Sequence, residues 1–311
     1  MKLAMVFPGQ GSQSVGMLRA YAGLPGVEEV RRDATEVLGA DFVRLLDEGP
    51  AEALGLTRNT QPAMVTAGYA AYRGWRGLGG PAPEVVAGHS LGEYTALVAA
   101  SALEFRDCLP LVRYRAEAMQ EAVPQGLGAM AAILNLDDDL VRAACAEAAQ
   151  QEVVEAVNFN APGQVVIAGH KAAVLRAMEA CKAKGAKRAL PLPVSAPFHS
   201  ALMRPAAERL RSYLADVKVA VPGVRLINNV DVKVETQPSA IKEALVRQAA
   251  SPVRWVETVR RMREEGVTHV LECGPGKVLA GMVKRIDAGL QVHALADQAS
   301  LEQALAAVRG G

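Results

Sequence analysis

A serine stands between two glycines at Gly88-His-Ser90-Leu-Gly92, inside the run VVAGHSLGEYTAL. The pattern glycine, any, serine, any, glycine suits a nucleophilic hydroxyl on a tight turn between a strand and a helix. Glycines on both sides allow that turn without a Cβ clash. The hydroxyl then projects from the carboxyl end of the sheet, where open α/β folds place their sites. The backbone N–H of Leu91 opens the following helix, so it can donate to a developing oxyanion with the helix dipole behind it. A serine so placed forms an acyl-enzyme. The motif alone does not say whether water or another nucleophile takes the acyl group away.

Such a serine needs a base, and the chain has five histidines. His89 precedes the serine, so its side chain leaves the opposite face. His269 lies in an apolar strand, His170 begins a helix and His293 flanks a late strand. His199, in the irregular proline-containing segment SAPFHS, lies on a loop at a junction between two parts of the chain and is the best placed of the five. The segment Phe7-Pro-Gly-Gln10-Gly-Ser-Gln13 lacks the third glycine of a dinucleotide fingerprint and the Lys-Ser/Thr of a P-loop. It reads either as a flexible loop or as the source of a second oxyanion donor. VRYRAEAMQ puts Arg113 and Arg115 on a helix. Either is a solvated surface arginine, or one turns inward as a bidentate clamp on a carboxylate. Spacing does not choose between them.

The elements that must position these residues alternate. Short apolar strands and longer amphipathic helices predict an α/β protein with a mainly parallel sheet, its large part resembling an α/β-hydrolase. Strands are expected at Leu3 to Phe7, Glu84 to Gly88 and His269 to Cys273, the last ending in GPG at a sheet edge. A helix begins near Thr60-Gln-Pro62, where a polar residue precedes an early proline. Others are expected at Ala201 to Leu214, Pro238 to Arg247 and Pro252 to Glu265. Between them the rhythm changes. Strand Ala129 to Leu134, helix Asp137 to Gln150, strand Val153 to Val157, a turn at NFNAPG, strand Gln164 to Ala168, helix Lys171 to Lys184 and strand Lys187 to Leu190 make a βαββαβ, ferredoxin-like unit. The expected division is a discontinuous large catalytic domain, 1–126 with 194–311, and an inserted small domain, 127–193.

Composition narrows the class. The 311 residues are 50% hydrophobic and 22% charged, ample for a packed core. A net charge of +1 gives no field for nucleic acid or an anionic membrane, and no apolar run reaches the length of a membrane span. The four cysteines stand far apart with no CxxC pair, so no zinc site or disulfide framework is suggested, and a reducing cytoplasm fits.

Taken together, FPGQGSQSVGM, GHSLGEY, RAEAMQEAVP, NFNAPGQVVIAG, SAPFHS, NNVD, VRQ…SPVRW and ECGPGKVL run in order over essentially the whole chain. In this the sequence resembles the malonyl-CoA:acyl carrier protein transacylases of fatty acid synthesis. The resemblance implies that Ser90 takes a malonyl group from malonyl-CoA, with His199 as base. It implies oxyanion-hole amides from Gln10 and Leu91, an Arg115 grip on the malonyl carboxylate, and a backbone carbonyl of Gln248 orienting His199. The substrate pocket would include Met119 and Phe198, the latter resembling the malonyl-preferring form of its segment. Asn160 would shape the small domain. An acyl carrier protein would be the partner and acceptor, and a coenzyme A thioester the donor. No metal or tightly bound cofactor is implied, and the expected protein is a cytoplasmic monomer.

Two other classes stand beside this reading. An α/β-hydrolase esterase needs an acid after the serine and a histidine late in the chain, which here leaves only His269 or His293. A carrier-docking module could use Lys182, Lys184, Lys187 and Arg188, a cluster that is otherwise a solvated basic face. A malonyl transacylase of a malonate decarboxylase system shares most of the same motifs.

Overall fold

The computed structural model describes residues 1–194 and 196–310; Ser195, at the head of SAPFHS, and Gly311 lie outside them. The chain begins with β1 (Leu3–Phe7), α1 (Val27–Leu38), α2 (Ala40–Glu48), α3 (Ala51–Leu54), α4 (Thr57–Gly77), β2 (Val85–Gly88), α5 (Gly92–Ala99) and α6 (Phe105–Glu121). The middle is β3 (Gly128–Leu134), α7 (Asp138–Ala149), β4 (Val154–Ala161), β5 (Gln164–His170), α8 (Lys171–Ala183) and β6 (Arg188–Pro191). The chain then forms α9 (Arg204–Asp216), β7 (Arg225–Leu226), α10 (Pro238–Ala249), α11 (Trp255–Glu264), β8 (His269–Cys273), α12 (Val278–Ile286), β9 (Gln291–Leu295) and α13 (Gln298–Gly310).

Among the described residues the strands form two sheets. The first is five-stranded and parallel, in the order β7-β2-β1-β8-β9. Every residue of β1 is buried, as a central parallel strand requires when both faces are covered. Its side chains alternate. Leu3, Met5 and Phe7 join the core that includes Met64, Trp75 and Leu97 on one face. Ala4 and Val6 join Val259, Met262 and Val283 on the other. The second sheet is four-stranded and antiparallel, in the order β4-β5-β3-β6, which is the ferredoxin-like arrangement of the middle segment. One face packs Ile133, Val165 and Ile167 against Val141 and Val174 of its helices. The opposite face, with Met130, Val157 and Val166, meets Leu192, Val194 and Phe198.

Several expected boundaries shift for local reasons. The strand expected to stop at Val157 continues as β4 through NFNA, because Asn158, Phe159 and Ala161 pair with β5 across two bulges. The helix expected from Pro252 starts at Trp255, because Val253 is held in a parallel bridge to Asn158. Helix α4 starts before the Thr60-Pro62 signal and carries Pro62 inside it. Strand β8 is interior, with β9 outside it, so the GPG turn closes a strand end and not a sheet edge.

Candidate active site

The turn after β2 is forced by two close approaches. A Cβ on Gly88 would lie 1.8 Å from the Gly92 carbonyl carbon, and one on Gly92 would lie 1.9 Å from the Phe7 carbonyl oxygen. Only glycine fits at either position. The pinched turn pushes Ser90 into the left-handed region, at φ +52°, a strained state for a residue with a Cβ.

His199 also has a left-handed backbone, at φ +66°, and brings its Nε2 to 2.7 Å from Ser90 Oγ. Its Nδ1 lies 2.9 Å from the main-chain oxygen of Gln248. A carbonyl only accepts, so Nδ1 carries the proton and Nε2 is left to accept from the serine hydroxyl. The orienting group behind the imidazole is thus neutral. Burial, followed by the nearby Arg115 charge, pulls the His199 pKa down to about 3. The imidazole is therefore neutral at physiological pH.

Arg115 is the inward-turned arginine of the pair and is 2% exposed. Its guanidinium donates to Gln61 Oε1 at 2.9 Å, Gln248 Oε1 at 3.0 Å and Ser90 Oγ at 3.3 Å, and lies 5.3 Å from the centre of the Tyr94 ring. All three hydrogen-bond partners are neutral, and Nε is buried with no partner among the described residues. Burial lowers its pKa from the ordinary arginine value, yet a guanidinium stays charged. The site therefore holds a desolvated cation that no carboxylate among the described residues touches directly. Arg113, in contrast, stacks its guanidinium over Phe42 and is half-buried.

Gln10, Gln61, Ser90, Leu91, Arg115, Met119, Phe198 and His199 line one cavity of about 120 Å³, with Met130, Leu192 and Val194 from the antiparallel sheet and its exit segment closing it. The backbone N–H groups of Gln10 and Leu91 have no acceptor among the described residues. A groove of about 630 Å³, between α6 and the Leu56–Arg58 segment, shares Gln10 and Val194 as wall. No group of three or more His, Cys, Asp or Glu side chains is placed to hold a metal among the described residues.

The other histidines stand apart from the serine hydroxyl. His89 turns to Asn160 Oδ1 at 2.7 Å and packs against Trp255. Asn160 thereby links the antiparallel sheet to the serine turn. His170 Nδ1 accepts from the Val153 N–H, and His269 pairs with Thr268. In the basic cluster, Lys182 pairs with Glu179 and Lys184 with Glu147, while Lys187 and Arg188 are exposed.

Sequence reasoning missed three residues that the fold brings here. Gln61 holds Arg115, Asn229 accepts from the Ser90 N–H at 2.7 Å, and Glu93 accepts from Asn229 and Gln248 at 2.9 Å each. A signal existed for two of them. Gln61 falls three residues before Met64 on the apolar face of α4, and Glu93 is a charge in a helix that is otherwise apolar but for Thr95. A polar residue on a buried stripe asks for a partner.

Comparison with known proteins identifies the family. The family profile described as "Acyl transferase domain" matches residues 4–300. The chain belongs to the acyl transferase family. This acyl transferase is 55% identical over 305 residues to the malonyl CoA-acyl carrier protein transacylase of Escherichia coli K12, covering 98% of this chain and 99% of that one. Its fold superposes with a TM-score of 0.96 on the crystal structure of an acyl-carrier-protein S-malonyltransferase from Burkholderia pseudomallei 1710b, at 64% identity, covering 98% of this chain and 99% of that one. The same TM-score, at 52% identity and the same coverage, relates it to a malonyl-transacylase solved in complex with its type II PKS acyl-carrier protein. No helix among the described residues is long and apolar enough to cross a membrane.

Proposed function

We propose that this acyl transferase moves a malonyl group from malonyl-CoA to the phosphopantetheine thiol of an acyl carrier protein, through a malonyl-serine at Ser90. The observation that carries the reading is the buried Arg115 beside the Ser90–His199 pair, held by neutral acceptors and with Nε unpartnered. A thioester whose acyl chain ends in a carboxylate supplies a counter-charge in direct contact, where Glu93 reaches the guanidinium only through the Gln248 amide. An acetyl group would leave that cation unpaired, a difference that can reach about 10⁴ in discrimination.

The proposed steps follow from the hydrogen bonds. His199 Nε2 takes the Ser90 proton as Oγ attacks the thioester carbon. The Gln10 and Leu91 amides receive the oxyanion, each worth about 10²–10³ in rate. The imidazolium then protonates the departing coenzyme A thiolate. In the return half, His199 Nε2 takes the proton of the carrier thiol as its sulfur attacks the malonyl-Ser90 ester carbon. The imidazolium then returns that proton to the departing Ser90 Oγ, which leaves the malonyl group on the carrier as a thioester. Arg115 links binding to basicity, because its charge is the second cause of the low His199 pKa. A malonyl carboxylate on the guanidinium offsets that charge and makes the imidazole a better base when the fitting substrate is present.

Met119 and Phe198 would pack around the malonyl methylene, and the groove along Gln10 and Val194 fits the thiol-bearing arm. On the proposed division into 1–126 with 194–311 and 127–193, the site lies between the two parts. The neutral group behind His199 disfavours the esterase reading, which needs a carboxylate there. A reducing compartment such as the cytoplasm suits the four buried, unpaired cysteines. The first test is intact-protein mass spectrometry after adding malonyl-CoA and then a carrier protein. A malonyl adduct on Ser90 that persists in buffer and leaves on addition of the carrier supports transfer. An adduct lost to water alone would make the protein a hydrolase.

A further inference from the structure

The strained serine is gripped on both of its peptide groups by side chains from far along the chain. Asn229 Oδ1 accepts from the Ser90 N–H at 2.7 Å, while its Nδ2 donates to the Gly88 carbonyl at 2.6 Å. Gln248 Nε2 donates to the Ser90 carbonyl at 3.0 Å. Both grips lead back to one atom. Glu93 Oε2 accepts from the Asn229 backbone N–H and from Gln248 Nε2, each at 2.9 Å. Glu93, Asn229 and Gln248 are all buried.

We propose that Glu93 is a positioning residue for the nucleophile: its carboxylate anchors Asn229 and Gln248, and these hold the Ser90 turn together with His199 and Arg115. Glu93 touches no substrate. Its action is to fix an orientation. The Gln248 amide could sit either way round, but a carboxylate accepts only, so Nε2 must face Glu93 and Oε1 must face Arg115. The same residue lends its main-chain oxygen to His199. A neutral amide at position 93 would accept from Asn229 and Gln248 without the added strength of a charged acceptor, and would loosen both grips. Burying an ion without a partner is costly, and here the Gln248 amide bridges the carboxylate to the Arg115 cation.

The charges facing Glu93 are Arg115 from α6 and Asp231 from the segment after Asn229, with Tyr94 beside it on α5. Burial raises its pKa to about 7, against the hydrogen bonds from Asn229 and Gln248. As pH falls through about 7 the carboxylate gains a proton and the anchor weakens. His199, at about 3, does not titrate in that window.

The test uses the whole purified protein as wild type and E93Q, following Ser90 acylation by malonyl-CoA and Ser90 phosphonylation by a small fluorophosphonate from pH 6 to 9. At pH 8, E93Q should slow both reactions on the order of 10- to 100-fold, as a slight misplacement of reacting groups does. KM for malonyl-CoA should hold within about threefold, because the substrate contacts are kept. The wild-type decline below pH 7 should vanish in E93Q. Its thermal midpoint at pH 8 should equal or exceed that of wild type, since a raised carboxylate pKa means the folded state bears a burial cost that builds up as pH rises toward about 7 and is fully present by pH 8. Rates within twofold of wild type at pH 8 for both reagents would overturn the proposal. A double-mutant cycle with N229A gives an independent decision, also available if E93Q folds poorly. Losses that multiply in full in the double variant, or an N229A variant as fast as wild type, would overturn it; a double variant no slower than the slower single supports it. The malonyl reagent rests on the transfer reading. A wild type inert to malonyl-CoA sinks that reading, while the fluorophosphonate rates still decide on Glu93.

Discussion

Strands β2 and β8 flank β1 in the same sheet, and each runs through a glycine-rich turn into a helix, yet the two junctions answer their helix starts differently. After β8, the fully buried Glu272 turns its carboxylate onto the N–H groups of Leu279 and Ala280, at 3.1 and 2.7 Å, inside the first turn of α12. The chain supplies the anion that a helix start attracts. After β2, the first-turn carboxylate, Glu93, faces away from its own helix start toward Asn229 and Gln248, and the Leu91 N–H faces the cavity. One junction is closed upon itself and holds the fold together. At the other, the Leu91 N–H has no acceptor among the described residues, and the serine carries the backbone strain. Two similar turns, one sheet, and the difference is where a carboxylate points.

The contrast can be broken by substitution. At the open junction, Ser90→Ala should remove the acyl adduct and lower transfer by about 10⁴ or more, with an unfolding curve close to wild type. Mass spectrometry and urea titration on one preparation check both halves. Next in size, Arg115→Ala should lower malonyl transfer by about 10³ while acetyl transfer falls far less. Equal losses with the two thioesters would remove the clamp from the mechanism. At the closed junction the expected effect moves from rate to stability. Glu272→Ala leaves two buried N–H groups of α12 without acceptors and should cost about 2–4 kcal/mol in unfolding free energy. The transfer rate of the folded fraction should change less than about threefold, since Glu272 stands outside the site.

The smallest effect is a pH slope. Burial raises the Glu272 pKa to about 6, with the α12 N–H groups pulling the other way. A raised acid pKa gives stability that is complete below the unfolded value and lost as pH rises through about 6. Glu272→Gln has no such term. The stability of wild type relative to Glu272→Gln should therefore decline between pH 5 and 7.5, by about 1–2 kcal/mol, in parallel urea titrations. A flat difference would mean that the carboxylate is as well solvated by α12 as by water.

Local chemistry carried much of this into the sequence. The serine turn was legible because its two glycines bracket the serine in a recognisable pattern, although only Gly88 answers a local contact and Gly92 answers the Phe7 carbonyl of β1. The βαββαβ segment was legible because each element has its own hydrophobic period. His199 was singled out by its place in an irregular segment, and the structure sets it 2.7 Å from the serine. Arg113 and Arg115 were inseparable by spacing, and packing separates them: one lies over Phe42, the other is sealed beneath Tyr94. Asn229 and Gln248 lie 139 and 158 residues from Ser90, so their contacts are products of tertiary assembly that no local pattern encodes. The edges of α11 and β4 shifted for the same reason, through the bridge between Asn158 and Val253.

The neutral carbonyl behind His199 has a consequence for chemical inhibition. A carboxylate there would add a negative charge to the site, and the pocket would discriminate less between neutral and anionic electrophiles. With a carbonyl instead, the pocket keeps an unspent positive pole beside its most reactive oxygen. A serine-directed warhead bearing a carboxylate one carbon from its electrophilic centre gains a handle that ordinary serine hydrolases, with an acid behind their histidine, do not offer. Selectivity among serine enzymes would thus come from a single pendant charge and not from the shape of the warhead.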